Sequence, residues 1–510
     1  MAEENMYAVL ARGFPEDRSK VAIETPELRY TYDDIDRATA CLANLLVSLD
    51  LPDGARVAAQ VEKSPEALLL YLATLRAGYV YLPLNPAYRE SEVAYFLRDA
   101  EPSVVVCTPE NAEWVQSAAA GAPQPVHFFT LNESRGGSLL EAAGGLSQRF
   151  DTVARGSADL AAILYTSGTT GRSKGAMLSH GNLSANARTL HTYWGWRTDD
   201  VLLHMLPIFH VHGLFVAAHG ALLAGASMIW LPKLDVALAL RYLPRTTVFM
   251  GVPTYYVRLL AEPRFTRALV ANVRLFISGS APLLTETFTQ FQERIGTAIL
   301  ERYGMSETNM LTSNPLHALD GARLGGTVGR PLPGVSVRVV SDEDAMLTPG
   351  EIGHIQVRGP NVFSGYWRMP EKTREAFTQD GWFRTGDVGQ WGDGKASPPD
   401  YLSIVGRSKD LIITGGFNVY PKEIETVIDE IAGVEESAVI GVPHPDFGEA
   451  VIAVIVAKAG AALDTQQILA ALKQRIANFK VPKRIVLVDQ LPRNTMGKVQ
   501  KNMLRDAYGN

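Results

Sequence analysis

Short apolar runs alternate with amphipathic stretches through the first third of the chain. VAIETPELRYTYDDI holds two β-like runs around a turn, and Asp33 or Asp34 can then start a helix through ATACLANLLVSLD. RVAAQV, SPEALLLYLATLRAGYVYLPL and SEVAYFLRDAEPSVVVC repeat strand, helix and strand. Such alternation predicts an α/β sheet with helical crossovers. Residues 135–159 have a poorer pattern and are expected to cross between sheet elements.

Further along, LSHGNLSANARTLHTYW predicts a helix. DDVLLHML opens strand-like and continues as an apolar, glycine-containing helix. TTVFMGVP and VRLFISGSAPL read as buried strands ending in glycine- or proline-rich turns, and TAILERYGMSETNM repeats the pattern, with Tyr303 just past its strand. In an open α/β sheet ligands sit at such strand ends, so these loops can converge on one pocket. From about residue 325 the texture shifts to GVSVRVV, GEIGHIQVRG, GWFRTGDVG and YLSIVGR, a small β subdomain with Asp387 expected at a turn. A new α/β unit follows: a Pro-initiated helix in YPKEIETVIDEI, two β runs, and the helix TQQILAALKQRIANF. The expected division is residues 1–406 and 407–510.

Composition changes this picture little. A chain of 510 residues exceeds one ordinary core, so at least two domains are expected. The net charge of −6 offers no basic footprint for nucleic acid. No uninterrupted apolar stretch is long enough to span a membrane, and the start lacks the basic and apolar regions of a signal peptide. Cys41 and Cys107 sit in apolar surroundings and read as inert thiols. A cytoplasmic protein is the expectation.

The chemistry concentrates in LYTSGTTGRSKG, residues 164–175. Glycines 168, 171 and 175 lie among Thr166, Ser167, Thr169, Thr170 and Ser173, with Lys174 as the one nearby lysine. Close-approaching backbone, hydroxyl donors and a lysine suit phosphate oxygens. An ordinary exposed turn can share this composition. Neither a Walker A sequence nor a nucleophile elbow fits as well, because Ser173 follows a long polar segment rather than a tight strand-to-helix turn. His204, His210, His212 and His219 invite a zinc reading, but no cysteine or H-E-x-x-H accompanies them, so structural placement or ligand stacking is preferred. Asp387 could accept from vicinal hydroxyls, as on a ribose, or simply serve its turn. Lys498 follows Gly497 in a polar tail loop and could reach into another domain's cleft.

Five ordered segments now carry a resemblance: YTSGTTGRSKG, RYGMSET, GWFRTGDVG, GRSKDLIITGGFNVYPKEIE and PRNTMGKVQK. By them the chain resembles the acyl-adenylate-forming superfamily of acyl-CoA synthetases, adenylation domains and luciferases. The departures are mild: Ser306 stands where threonine is commoner, and Met496 where many relatives have a small residue. The resemblance implies a large multi-subdomain α/β N-terminal domain and a small mobile α/β C-terminal domain, hinged at Lys409. It implies attack of a carboxylate on ATP to give an acyl-adenylate and pyrophosphate, then transfer to coenzyme A with release of AMP. Thr166, Ser167, Gly168, Thr169, Thr170, Gly171 and Lys174 would hold the phosphates, with Thr308 beside them, and Glu307 would hold Mg²⁺. Tyr303 would flank the adenine, Asp387 would bind the ribose, and Arg407 would assist. Lys498 would bridge the carboxylate and the α-phosphate; its acetylation by a lysine acetyltransferase, reversed by a deacetylase, would switch adenylation off. Gly415 and Gly416 would line the coenzyme A tunnel, and His210 would gate the acyl and pantetheine channels.

Within the superfamily the chain most resembles the branch that ligates malonate to coenzyme A. Arg302 precedes Tyr303-Gly304, where many relatives have a neutral residue. A guanidinium facing the acyl pocket suits the distal carboxylate of malonate, with methylmalonate a second acceptable acid. Arg258 is expected as a second cation and Ser280 as a further donor, although Arg302 could instead pair with Glu301, and Arg258 could be an ordinary surface residue. Another short acid, or transfer to a carrier-protein thiol, remains the alternative.

Overall fold

The computed structural model describes residues 4–119, 125–166, 173–392, 397–414, 417–445, 448–494 and 497–509. Two large sheets form the body of the N-terminal part. One has six strands, in the order His127–Thr130, Val104–Cys107, Arg56–Gln60, Val80–Pro83, Leu160–Thr166 and Lys174–Ser179. The other has nine, and its centre runs Leu300–Met305, Leu275–Ser278, Val248–Gly251, Val201–His204 and Ser227–Trp230, all parallel.

Alternation along these strands builds the layers. Val57, Leu202, Val248 and Leu275 enter one core shared by both sheets, whereas their neighbours Ala58, Leu203, Phe249 and Phe276 face separate outer cores. Successive side chains point to opposite faces, so strands covered on both sides read as nearly continuous apolar runs. Pro65–Arg76 is buried along its whole length and packs against Tyr32–Ser48. Both helices start on side-chain caps: Ser64 accepts from Ala67 N–H ahead of Pro65, and Thr31 forms a capping box with Asp34.

The expected β subdomain is an antiparallel sheet of Ser336–Val340, Gly353–Arg358, Phe383–Trp391 and Leu402–Arg407. Two expectations need correction here. Asp387 lies inside a strand, not at a turn; Gly386 beside it carries the left-handed φ of +72° that made the triplet look turn-like. Tyr303 likewise lies within its strand, because Leu300–Met305 continues into an antiparallel pairing with Asn309–Ser313. Arg407 ends a strand of the N-terminal sheet, and a single turn, Ser408–Asp410, follows it.

The C-terminal part pairs Val434–His444 with Gly448–Ala457; the latter also pairs with Ile412–Thr414 at Gly448 and, in parallel, with Arg484–Val488, while Phe417–Val419 pairs with Ile412–Thr414. The apolar helix after Val201–His204 opens as a π-helix, His212–Ala218, before continuing as His219–Leu223. No helix of the described residues is long and apolar enough to cross a membrane.

Candidate active site

The expected nucleotide end is assembled by strand register. Asp387 and Arg407 are cross-strand partners, and Arg407 Nε lies 2.7 Å from Asp387 Oδ1. Tyr303 donates its hydroxyl to Asp387 Oδ2 at 2.5 Å, while the Asp387 N–H donates to Thr385 Oγ1 at 3.1 Å. The carboxylate is buried and spoken for on both oxygens, yet ionised oxygens offer about four acceptor positions between them. Two remain for a pair of vicinal hydroxyls. Arg407 is held above its ordinary pKa by the Asp387 charge; burial, then Asp387, pushes the Tyr303 hydroxyl well up.

Lys498 reaches this cluster from the C-terminal tail. A Cβ added at Gly497, which has φ +74°, would meet Thr254 Oγ1 at 3.3 Å, so the tail loop lies against the start of helix Pro253–Leu260. Asn494 holds the loop closed, its side chain accepting from Lys498 N–H at 2.9 Å. The Lys498 side chain meets solvent on one side but is crowded enough that desolvation, aided by Arg407, lowers its pKa to about 8, against the pull of Asp387. Lys409 is exposed in the connecting turn Ser408–Asp410.

At the phosphate end, Leu160–Thr166 and Lys174–Ser179 pair with Thr166 opposite Lys174. Ser167, Gly168, Thr169, Thr170 and Gly171 lie outside the described residues, as do Gly415 and Gly416. Lys174 Nζ sits 4.8 Å above the Tyr366 ring, and the Tyr366 hydroxyl donates to Glu307 Oε1 at 3.1 Å. Sequence reasoning missed Tyr366. Its segment is zipped along the strand, with Met177 N–H donating to the Gly365 carbonyl and Ser364 N–H to the Met177 carbonyl, both at 3.0 Å. Burial raises the Glu307 pKa, so a neighbouring cation would favour its ionised form. Thr308 is fully buried, its hydroxyl accepting from Met305 N–H at 3.3 Å.

The third region surrounds Arg302. Its side chain is 3% exposed, and its Nε and Nη2 find no partner among the described residues. The guanidinium lies on the Gly279 backbone, where a Cβ would fall 2.5 Å from Arg302 Cζ. Desolvation lowers its pKa to about 9. Glu301, one residue back along the strand, forms no ion pair with it among the described residues. Glu301 Oε1 instead accepts from Leu283 N–H at 3.3 Å, and burial lifts its pKa to about 8. Ser280 has φ +73° and contacts His212 Nδ1 through Oγ at 3.1 Å. His210 packs its ring 4.5 Å from that of Phe209, and desolvation lowers its pKa to about 4. Arg258 is exposed on helix Pro253–Leu260. His204 accepts at Nδ1 from Lys63 at 2.8 Å and stacks on Trp230, while His219 bonds the Tyr71 hydroxyl at 2.7 Å. Those two histidines are structural.

Against known proteins, residues 10–367 match the family model described as AMP-binding enzyme, and residues 423–498 match that of the AMP-binding enzyme C-terminal domain. The chain is similar to a malonate–CoA ligase of Arabidopsis thaliana, 32% identical, with 96% of this chain and 86% of that one covered. It is also similar to a feruloyl-CoA synthase of an Amycolatopsis species, 36% identical over 94% of each. Among solved structures, ATP-bound MatB from Rhodopseudomonas palustris superposes with a TM-score of 0.95 at 54% identity, covering 100% of this chain and 99% of that one.

Proposed function

The chain belongs to the AMP-binding enzyme family, and from that premise we propose that it is a cytoplasmic malonate–CoA ligase, forming malonyl-CoA, AMP and pyrophosphate through malonyl-adenylate. One observation carries the choice of acid: a buried guanidinium, Arg302, with two N–H positions unpartnered. An uncompensated buried charge is expensive, and a carboxylate entering beside it turns that cost into a charge-assisted, fork-like contact. A fatty or aryl tail offers Arg302 no such compensation.

The residues divide the work. Asp387 keeps acceptor positions for the ribose hydroxyls, with Arg407 and Tyr303 fixing its orientation. Malonate is ionised at neutral pH, so its attack on the α-phosphate needs no general base. Lys498 would meet both the attacking carboxylate and the charge growing on the phosphoryl group, where electrostatic stabilisation counts most. Glu307 and Lys174, joined through Tyr366, would face the outer phosphates together with residues 166–171. A buried carboxylate with a raised pKa fits a hard, oxygen-seeking cation, and Mg²⁺ held by Glu307 would screen the phosphate charge. Turning residues 407–510 about Lys409 would withdraw Lys498 and bring the Gly415-Gly416 segment alongside the pantetheine tunnel, with His210 at the channel. Acetylation of Lys498 would remove its charge and stop the first step.

The test is acid-dependent ATP–pyrophosphate exchange, followed by thioester formation with free coenzyme A, across malonate, methylmalonate, acetate and octanoate. Malonate should lead and methylmalonate follow, one methyl changing discrimination by about 1–3 kcal/mol. Preference for acetate or octanoate would remove the dicarboxylate reading. Exchange without transfer to free coenzyme A would favour a carrier-protein thiol as the acceptor.

A further inference from the structure

We propose that Tyr95 and Asp99, on helix Glu90–Ala100, are positioning residues for the outer phosphates of ATP, bracing from behind the segments that carry Lys174 and Tyr366. The inference rests on the reading of Lys174 and Tyr366 as the phosphate side and deepens it. Alternation along the chain separates two faces. Leu164 and Tyr366 enter the core shared by the sheets, whereas Tyr165 and Trp367 pack on an outer core with Tyr95 and Phe96. Every residue the helix grips is a chain neighbour of one assigned to the phosphates: Tyr165 precedes Thr166, Ser173 precedes Lys174, and Trp367 follows Tyr366.

The grip is made of directed bonds. Tyr165 donates its hydroxyl to Asp99 Oδ2, and its ring lies 4.5 Å from that of Phe96. About one helical turn earlier, the Tyr95 hydroxyl donates to the Ser173 carbonyl at 2.7 Å. Side chains so spaced share a helix face, so one face holds both strands where Thr166 pairs with Lys174. Trp367 Nε1 donates to the Asp99 carbonyl at 3.0 Å, while the Trp367 backbone N–H donates to the Gly175 carbonyl at 2.7 Å. Gly175 permits that approach, since a Cβ there would lie 3.3 Å from Trp367 Cβ and 3.4 Å from Tyr165 Cζ.

The brace is itself fixed. A helix leaves its last carbonyls without partners of its own. Here the Asp99 carbonyl takes Trp367, and those of Ala100 and Glu101 take Arg56 Nε and Nη2 at 2.7 and 2.6 Å. Glu101 closes the helix at φ +45° and pairs through both carboxylate oxygens with Arg368, at 2.7 and 2.5 Å. Lys174 opens an edge strand of its sheet, where fraying is easiest. A lysine held in place beforehand has less freedom to lose when phosphate arrives. Burial, then Asp99, raises the Tyr165 pKa, so the phenol stays a donor.

The experiment compares equilibrium dissociation constants for ATP and AMP in the presence of Mg²⁺, since AMP lacks the outer phosphates. Asp99→Leu should lower the preference for ATP over AMP about tenfold, the low end for a hydrogen bond to a charged group. Tyr165→Phe should match it, and the double variant should be no worse than either single one, because both remove the same bond. Asp99→Asn, which keeps an acceptor for the phenol, should hold the preference within about twofold. Tyr95→Phe should lower it about fivefold, the weight of a neutral hydrogen bond. If Asp99→Leu folds poorly, the two Phe variants, each lacking a single oxygen, decide the matter alone. AMP affinity that falls as far as ATP affinity, or a preference unchanged in Tyr165→Phe, overturns the proposal while leaving the phosphate side where it was. A wild-type protein that binds AMP as tightly as ATP overturns both.

Discussion

Arg407 and Arg302 both stand on strands of the N-terminal part, and their surroundings are opposite. Arg407 meets Asp387 at 2.7 Å across paired strands, and that carboxylate also takes the Tyr303 hydroxyl. Arg302 is more deeply buried, yet no carboxylate lies within ion-pairing distance among the described residues, and desolvation lowers its pKa to about 9 where Asp387 raises that of Arg407. The cluster proposed for the nucleotide is thus paired by its own charges before any ligand arrives. The cluster proposed for the acid is left in deficit, and on that reading the substrate would supply the missing anion. Recognition of ATP can then be shared with relatives, whereas the choice of acid rests on a local imbalance.

The most forceful way to break this comparison is to remove the group that serves both ends. Lys498→Ala should reduce malonate-dependent ATP–pyrophosphate exchange by about 10³-fold, the scale for losing a preorganised electrostatic contact to the transition state. Transfer to coenzyme A from supplied malonyl-adenylate should persist, because the proposed mechanism uses the lysine in the first step alone. Equal loss of both half-reactions would mean that Lys498 supports the fold instead.

Next in size is the contrast between the arginines themselves. Arg302→Met should cost about 10²-fold in kcat/KM for malonate, in keeping with losing one partner of a desolvated charge pair, while the KM for ATP moves little. Its thermal midpoint without ligand should hold or rise, since an unpaired buried charge has been removed. Arg407→Met should behave in reverse, weakening ATP use and lowering stability by about 1–3 kcal/mol, less than for a fully enclosed pair because Arg407 keeps some contact with solvent. Similar melting shifts in the two variants would erase the distinction.

A smaller effect separates the free site from the occupied one. Lys498 has its pKa lowered to about 8, and in the proposed mechanism only its charged form serves adenylation. The kcat/KM for ATP should therefore fall as pH rises through about 8, roughly tenfold per unit beyond it. In kcat the fall should come at higher pH, because bound phosphates favour the ammonium. Coincident limbs in the two profiles would assign the titration to another group.

How much of this could be read without coordinates follows from the range of each interaction. Asp387, Arg407, Glu307, Lys174 and Lys498 are legible as candidates because each stands in a short segment of the chain that carries the family resemblance. Sheets covered on both faces were legible as well, since alternation such as Val248 inward and Phe249 outward is a local pattern. Tyr366 was not, because nothing in SGYWRMP says that this irregular segment is zipped along Lys174–Ser179. Gly386 misled in the other direction, its turn-like character being absorbed into a strand.

The finest probe of the comparison is Tyr366→Phe. The ring that faces Lys174 at 4.8 Å is kept, and only the hydroxyl reaching Glu307 at 3.1 Å is removed. That hydroxyl favours the ionised carboxylate, so its loss should push the Glu307 pKa further up and weaken the hold on Mg²⁺. A single hydrogen bond contributes about 1 kcal/mol, so the Mg²⁺ concentration for half-maximal exchange should rise about fivefold, with saturating rates nearly restored. The KM for malonate should stay where it was, since the proposed function puts Tyr366 on the nucleotide side. A shift in malonate KM as large as the shift in Mg²⁺ requirement would show that the two ends are mechanically one, and that the deficit at Arg302 is not an independent determinant of the acid.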